Sequence, residues 1–137
     1  MKPNPYEKYK SNAIFTASGE ELTLMLYDGA LKFCNQAIVS MEDKDLGKTS
    51  DLIIKVQNIV QEFQLTLDMQ YEISHQLNSL YDYIKHLLVE ANTKKDAAML
   101  HEVRDHLRSL RDTWRDAIKL ARSSQKPSVP VAAATTR

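Results

Sequence analysis

The position of the prolines constrains this chain more than any other feature. Pro3, Pro5, Pro127 and Pro130 are the only ones, so residues 6–126 run without a single proline. Proline removes a backbone donor and clashes with the preceding helical turn, and β-sandwiches need frequent turn residues. A long proline-free interior therefore favours helices, and only three glycines in 137 residues point the same way. Hydrophobic and charged shares of 43% and 26% are those of an ordinary globular domain, neither disordered nor membrane-embedded.

Four segments carry apolar residues alternately three and four apart, the period of one helix face. The first follows Ser18-Gly19-Glu20-Glu21, a capping-box pattern with Ser18 at the N-cap and Glu21 as its N3 partner. Its stripe is Leu22, Met25, Leu26, Ala30, Phe33, Ala37 and Met41. The second starts near Asp45 and runs Leu46, Thr49, Ile53, Val56, Val60, Phe63, Leu67. The third holds Ile73, Leu77, Leu80, Ile84, Leu87 and Ala91. The fourth, capped by Asp96, holds Leu100, Val103, Leu107, Leu110, Trp114, Ile118 and Ala121. The breaks near 42–44, 68–72 and 92–96 are short, which makes successive helices antiparallel neighbours. The expected fold is all-α, an antiparallel up-down-up-down four-helix bundle over residues 18–122, with an N-terminal arm at 1–17 and a disordered tail at 123–137. The arm carries Tyr6, Tyr9, Ile14 and Phe15, too many large apolar groups for a solvated strand, and is expected to lie on another surface.

Charge and composition remove several functions. Eighteen Lys and Arg balance eighteen Asp and Glu, so the basic excess of a nucleic-acid binder is missing. Arg104, Arg108, Arg111, Arg115 and Arg122 form a cluster, but Glu102, Asp105, Asp112 and Asp116 interleave with it at pairing distances, as on a salt-bridged solvent face. The lone Cys34, beside Phe33 and Ala37, reads as a buried apolar residue and fits no zinc spacing. No run of 18 apolar residues occurs, and the opening Met-Lys-Pro-Asn-Pro-Tyr lacks an apolar leader, so a cytoplasmic protein with no membrane insertion is expected.

The four histidines offer little chemistry. Glu72 and His75 have the Glu-x-x-His spacing of a di-iron bundle, but both lie off the apolar stripe and no second pair exists. His101 and His106 are about 140° apart around a helix and do not converge on a metal. No metal or cofactor is expected. A histidine phosphotransfer bundle is the enzymatic alternative, since Arg104 and Arg108 stand one and two turns beyond His101, yet the small residue that makes room for phosphate is missing.

The first two helices carry more apolar or neutral surface than a bundle corner needs. Leu24, Tyr27, Leu31 and Ile38 widen the apolar arc of the first helix to about 200°. Beside the core stripe of the second lie Ser50, Ile54, Gln57, Asn58, Gln61, Gln64 and Leu65, without a charge among them. An apolar strip beside amides suits a bound helix or extended peptide. The alternative is a wide core face beside a neutral surface. On the helical wheel, Leu24, Leu31, Ile38, Ile54, Gln61 and Leu65 are the candidate contacts.

Several blocks resemble the flagellar secretion chaperone family FliS. They are Asn4-Pro5-Tyr6-x-x-Tyr9, Thr16-Ala17-Ser18, and the run from Glu21 through Leu26-Tyr27-Asp28-Gly29 to Phe33. Leu67-Asp-Met-Gln-Tyr-Glu-Ile73, Leu80-Tyr-Asp-Tyr-Ile84, Leu88-Val-Glu-Ala-Asn92 and Leu110-Arg-Asp-Thr-Trp114 extend the resemblance, which covers roughly residues 4–122. It implies a non-enzymatic four-helix bundle of the bacterial cytosol that binds the disordered C-terminal segment of flagellin. It further implies that flagellin is kept from premature polymerisation and helped to the flagellar type III export gate. By the same resemblance the arm covers part of an apolar groove through Pro5, Tyr6 and Tyr9, and Tyr27 is a motif position. A monomer is expected, with a dimer through the groove as the alternative.

Overall fold

The structure, a computed structural model, describes residues 19–124. Four helices make up nearly all of it: α1 Gly19–Glu42, α2 Leu46–Leu65, α3 Glu72–Lys94 and α4 Ala97–Ser124. There is no strand among the described residues. The all-α four-helix expectation holds, and the connections fall where the apolar periodicity breaks. The capping role expected of Ser18, the arm at 1–17 and most of the tail lie outside the described residues. The bundle boundary expected at 122 moves slightly, because α4 continues to Ser124.

Local chemistry explains the starts of α2 and α4 and the ends of α1 and α3. Asp45 caps α2 by accepting the Lys48 amide at 3.3 Å, and Asp96 accepts the Ala98 amide at 2.9 Å at the start of α4. The ends of α1 and α3 close through left-handed residues, Lys44 at φ 60° and Lys95 at φ 52°. After α1 the Asp45 amide reaches the Ser40 carbonyl and the Lys44 amide the Met41 carbonyl, which is a Schellman closure. The three-residue turn follows from that geometry.

The contacts divide into two units. The larger is Leu26–Ser109 and contains most of α1, all of α2 and α3, and the first half of α4. Its core holds Ala30, Cys34, Ala37, Ile53, Val56, Val60, Ile84, Leu88, Leu100, Val103 and Leu107. Here α1 meets every other helix: the Tyr27 ring packs tilted against Phe63 of α2 and its hydroxyl bonds Tyr81 of α3, while the Cys34 thiol donates to the Leu100 carbonyl of α4 at 3.4 Å. Early α1 lies against late α2 and late α1 against early α2, where the Ser40 and Thr49 hydroxyls are 2.7 Å apart. Side-chain bonds Ser50–Asn92, Gln61–Lys85 and Gln64–Asn78 set α3 antiparallel to α2.

The smaller unit joins the described residues 19–25 to Leu110–Ser124. Its polar ties are the Trp114 indole donating to the Glu20 carbonyl at 2.9 Å and Arg122 to Glu21 at 2.7 Å. Ile118 is buried, whereas Leu22, Leu24, Met25, Leu110 and Trp114 are half-buried.

Candidate functional site

Most of the wide apolar arc of α1 is core. Tyr27, Leu31 and Ile38 are each only 5–6% exposed, so they do not form the outer strip expected of them. Ala30, Cys34 and Ala37, all fully buried, give the centre of this face almost no bulk. Neighbouring helices can approach closely there, and the larger residues on both flanks are drawn inside. Phe33, expected as core, is instead half-buried, with the Lys55 ammonium 5.2 Å from its ring centroid. Leu24 is half-buried in the smaller unit. Pro5, Tyr6 and Tyr9 lie outside the described residues.

On α2 the candidate residues lie outside the core. Ile54 is 47% and Leu65 70% exposed, and Gln61 is exposed between them. Two of the amides alongside, Gln61 and Gln64, are already engaged with α3. Gln61 accepts a bond from Lys85 at 2.9 Å, and Gln64 donates to the Asn78 and Asp82 side chains at 3.0 and 2.7 Å. Higher up, Lys95 donates to Ser50 and Asn92, and Ser50 to Asn92. These polar rungs leave an interval level with Ile54, where Val89 of α3 is 49% exposed. Val89 lies off the core stripe of α3, so helical periodicity alone does not single it out; the antiparallel register places it level with Ile54.

The titratable groups have structural surroundings. Burial, then the neighbouring Tyr81, pushes the Tyr27 phenol far above the usual tyrosine value; burial also raises Tyr81, against the opposing effect of its bond to Tyr27. Burial pushes the Cys34 thiol up to about 12, which keeps it protonated and a poor nucleophile. Glu102 accepts from Tyr83 at 2.7 Å and contacts His106 at 3.2 Å, and both bonds hold its carboxyl below the usual range. His75 sits 2.9 Å from the Met69 carbonyl rather than opposite a metal partner, and no group of three metal-ligating side chains occurs among the described residues. The expected pairing of charges on α4 is present in part: Arg115 meets Asp112 one turn away at 4.0 Å, while Arg104 pairs with Asp105 and Arg111 with Asp112 as sequence neighbours. No described helix is long and apolar enough to cross a membrane.

The described residues thus define an all-helical bundle with apolar side chains left outside along one helix pair. The chain matches the family profile "Flagellar protein FliS" over residues 2–121. It is 41% identical over 129 residues to the flagellar secretion chaperone FliS of Bacillus subtilis, covering 94% of this chain and 97% of that one. The flagellar secretion chaperone FliS of Salmonella typhimurium is 31% identical over 107 residues, covering 76% and 79%. A crystal structure of a bacterial flagellar chaperone has the same fold, with a TM-score of 0.69 at 21% identity over 83% of this chain and 94% of that one. The chain belongs to the FliS family of flagellar secretion chaperones.

Proposed function

We propose that this protein acts in the bacterial cytoplasm, as a monomer and without catalysis, on the disordered C-terminal segment of flagellin. Binding keeps flagellin from polymerising early and assists its delivery to the gate of the flagellar type III export apparatus. Family membership supports the reading. The observation that carries it is the row Ile54, Gln61 and Leu65, one face of α2 that leaves two large aliphatic side chains in water. A helix-forming client would bury those side chains and Val89, while its own polar groups exchange with the exposed Gln61–Lys85 rung. In this reading Leu24 adds a second contact in the smaller unit, and Pro5, Tyr6 and Tyr9 shield apolar surface until the client arrives. Tyr27, Leu31 and Ile38 hold the core from which α2 is presented.

The test is retention of the full-length protein on an immobilised flagellin C-terminal peptide. Wild type is retained and Ile54→Lys is not. Equal retention of both would remove α2 from the site, and failure of wild type to bind would remove flagellin as the client.

A further inference from the structure

The connection between α2 and α3 carries a second apolar surface that the client strip does not require. Met69 and Tyr71 in the turn and Ile73 at the start of α3 are 43%, 61% and 58% exposed, next to Leu65 of the client strip. Their exposure is built in, because the turn is tied down by polar groups. The Asp68 side chain accepts the Gln70 amide at 3.0 Å, and the Asp68 carbonyl accepts the Tyr71 amide at 3.2 Å. His75 meets the Met69 carbonyl. The turn is therefore held by hydrogen bonds while its large apolar side chains remain exposed.

Its charge is one-sided. From Val56 to Ile84 the chain contains no Lys or Arg, while Glu62, Asp68, Glu72 and Asp82 fall in that stretch, although the whole chain is neutral. Asp68 and Glu72, both exposed, flank Met69 and Tyr71 directly. A clustered apolar patch with an acidic rim is the mark of an interaction site, and the rim selects the sign of the partner by repelling acidic segments and steering basic ones.

We infer that the α2–α3 turn docks a basic amphipathic helix of a partner protein, with Leu or Phe packed on Tyr71 and Ile73 and Lys or Arg facing Asp68 and Glu72. This goes beyond the flagellin reading and does not depend on it. Leu65 borders both surfaces, so the test avoids it.

The probe is a synthetic helix-forming peptide with Leu and Phe on one face and Lys and Arg on the other. A twin carries Glu in place of the basic residues. Each is labelled and titrated by fluorescence anisotropy against the full chain at physiological ionic strength. The basic peptide binds about tenfold or more tightly than its twin, and Tyr71→Ser with Ile73→Ser removes that binding. Glu72→Lys weakens it severalfold, whereas Asp51→Lys, the same charge change near the start of α2, leaves it unaltered. Circular dichroism keeps the variants' helix content at the wild-type level. Equal binding of both peptides, indifference to Tyr71 and Ile73, or an equal effect of Asp51→Lys overturns the inference. Sedimentation showing that the protein dimerises through Tyr71 and Ile73 would make a second copy the occupant and overturn it too. So would a rise in basic-peptide affinity on deleting residues 1–17, which would make this chain's own arm the occupant.

Discussion

Tyr27 and Tyr81 meet hydroxyl to hydroxyl at 2.7 Å with almost no access to water, so each supplies the other's hydrogen bond. Removing one hydroxyl strands the other, at a cost of about 1–3 kcal/mol, whereas removing both leaves an apolar contact with Phe63. Tyr27→Phe and Tyr81→Phe should each destabilise by about that amount, and the double variant by less than their sum in urea unfolding. The same burial fixes a pH response. Both phenols are raised above 10.0 when folded, so above about pH 10 the unfolded chain releases protons that the native one retains. Their contribution to stability is whole below that pH and is lost as pH climbs toward the folded values. An alkaline titration followed by tyrosinate absorbance should show these two tyrosines ionising only with unfolding. Leu31 belongs with them: Leu31→Lys puts an unpaired charge into the core and should cost about 3 kcal/mol or more. Phe33→Ala, at a half-buried site, should cost roughly 2 kcal/mol, below the range for a fully buried ring. A Leu31→Lys protein as stable as wild type would return Leu31 to the surface strip.

Among the elements, the turn after α1 offers a clean case. Lys44 sits at φ 60°, where a side chain costs about 1–2 kcal/mol, and glycine's larger unfolded-state entropy takes back part of the gain. Lys44→Gly should stabilise the protein by roughly 0.5–1 kcal/mol in thermal unfolding; a loss would mean that the Lys44 side chain makes a contact of greater worth. The helices, their order, the start of α2 near Asp45 and the cap at Asp96 were legible because periodicity and capping are local signals. The apolar stripe of α4 was legible too, since its outer face is charged and leaves one choice of inside. On α1 the wheel failed. Small residues occupy the centre of its buried face, so volume rather than hydrophobicity decided how far Tyr27, Leu31 and Ile38 were drawn in. On α3 the stripe expected at Ile73 is exposed, and Tyr81 and Leu88 are core instead, because the Tyr27 hydroxyl gives a buried tyrosine its partner across the helices. Such a pairing, 54 positions apart in sequence, leaves no local trace.

At the scale of the whole molecule, the proposed function joins two folding events. In that proposal the bundle folds on its own core, and the disordered flagellin segment folds on the bundle. Ordering that segment costs about 2–5 kcal/mol, offset by apolar surface buried on both partners, and burial leaves a negative heat-capacity change. In this reading the surface on this chain is Ile54, Leu65 and Val89 in the larger unit, all outside the core. Leu65→Lys should therefore weaken the complex about tenfold or more while the unfolding midpoint moves little. Calorimetric titration of a flagellin C-terminal peptide into the full-length protein at several temperatures tests the account most directly. The account predicts saturable binding with a strongly negative heat-capacity change, a gain in helical circular dichroism, and loss of both with Ile54→Lys or Leu65→Lys. Binding with a heat-capacity change near zero and no added helix, or binding indifferent to Ile54 and Leu65, would contradict it.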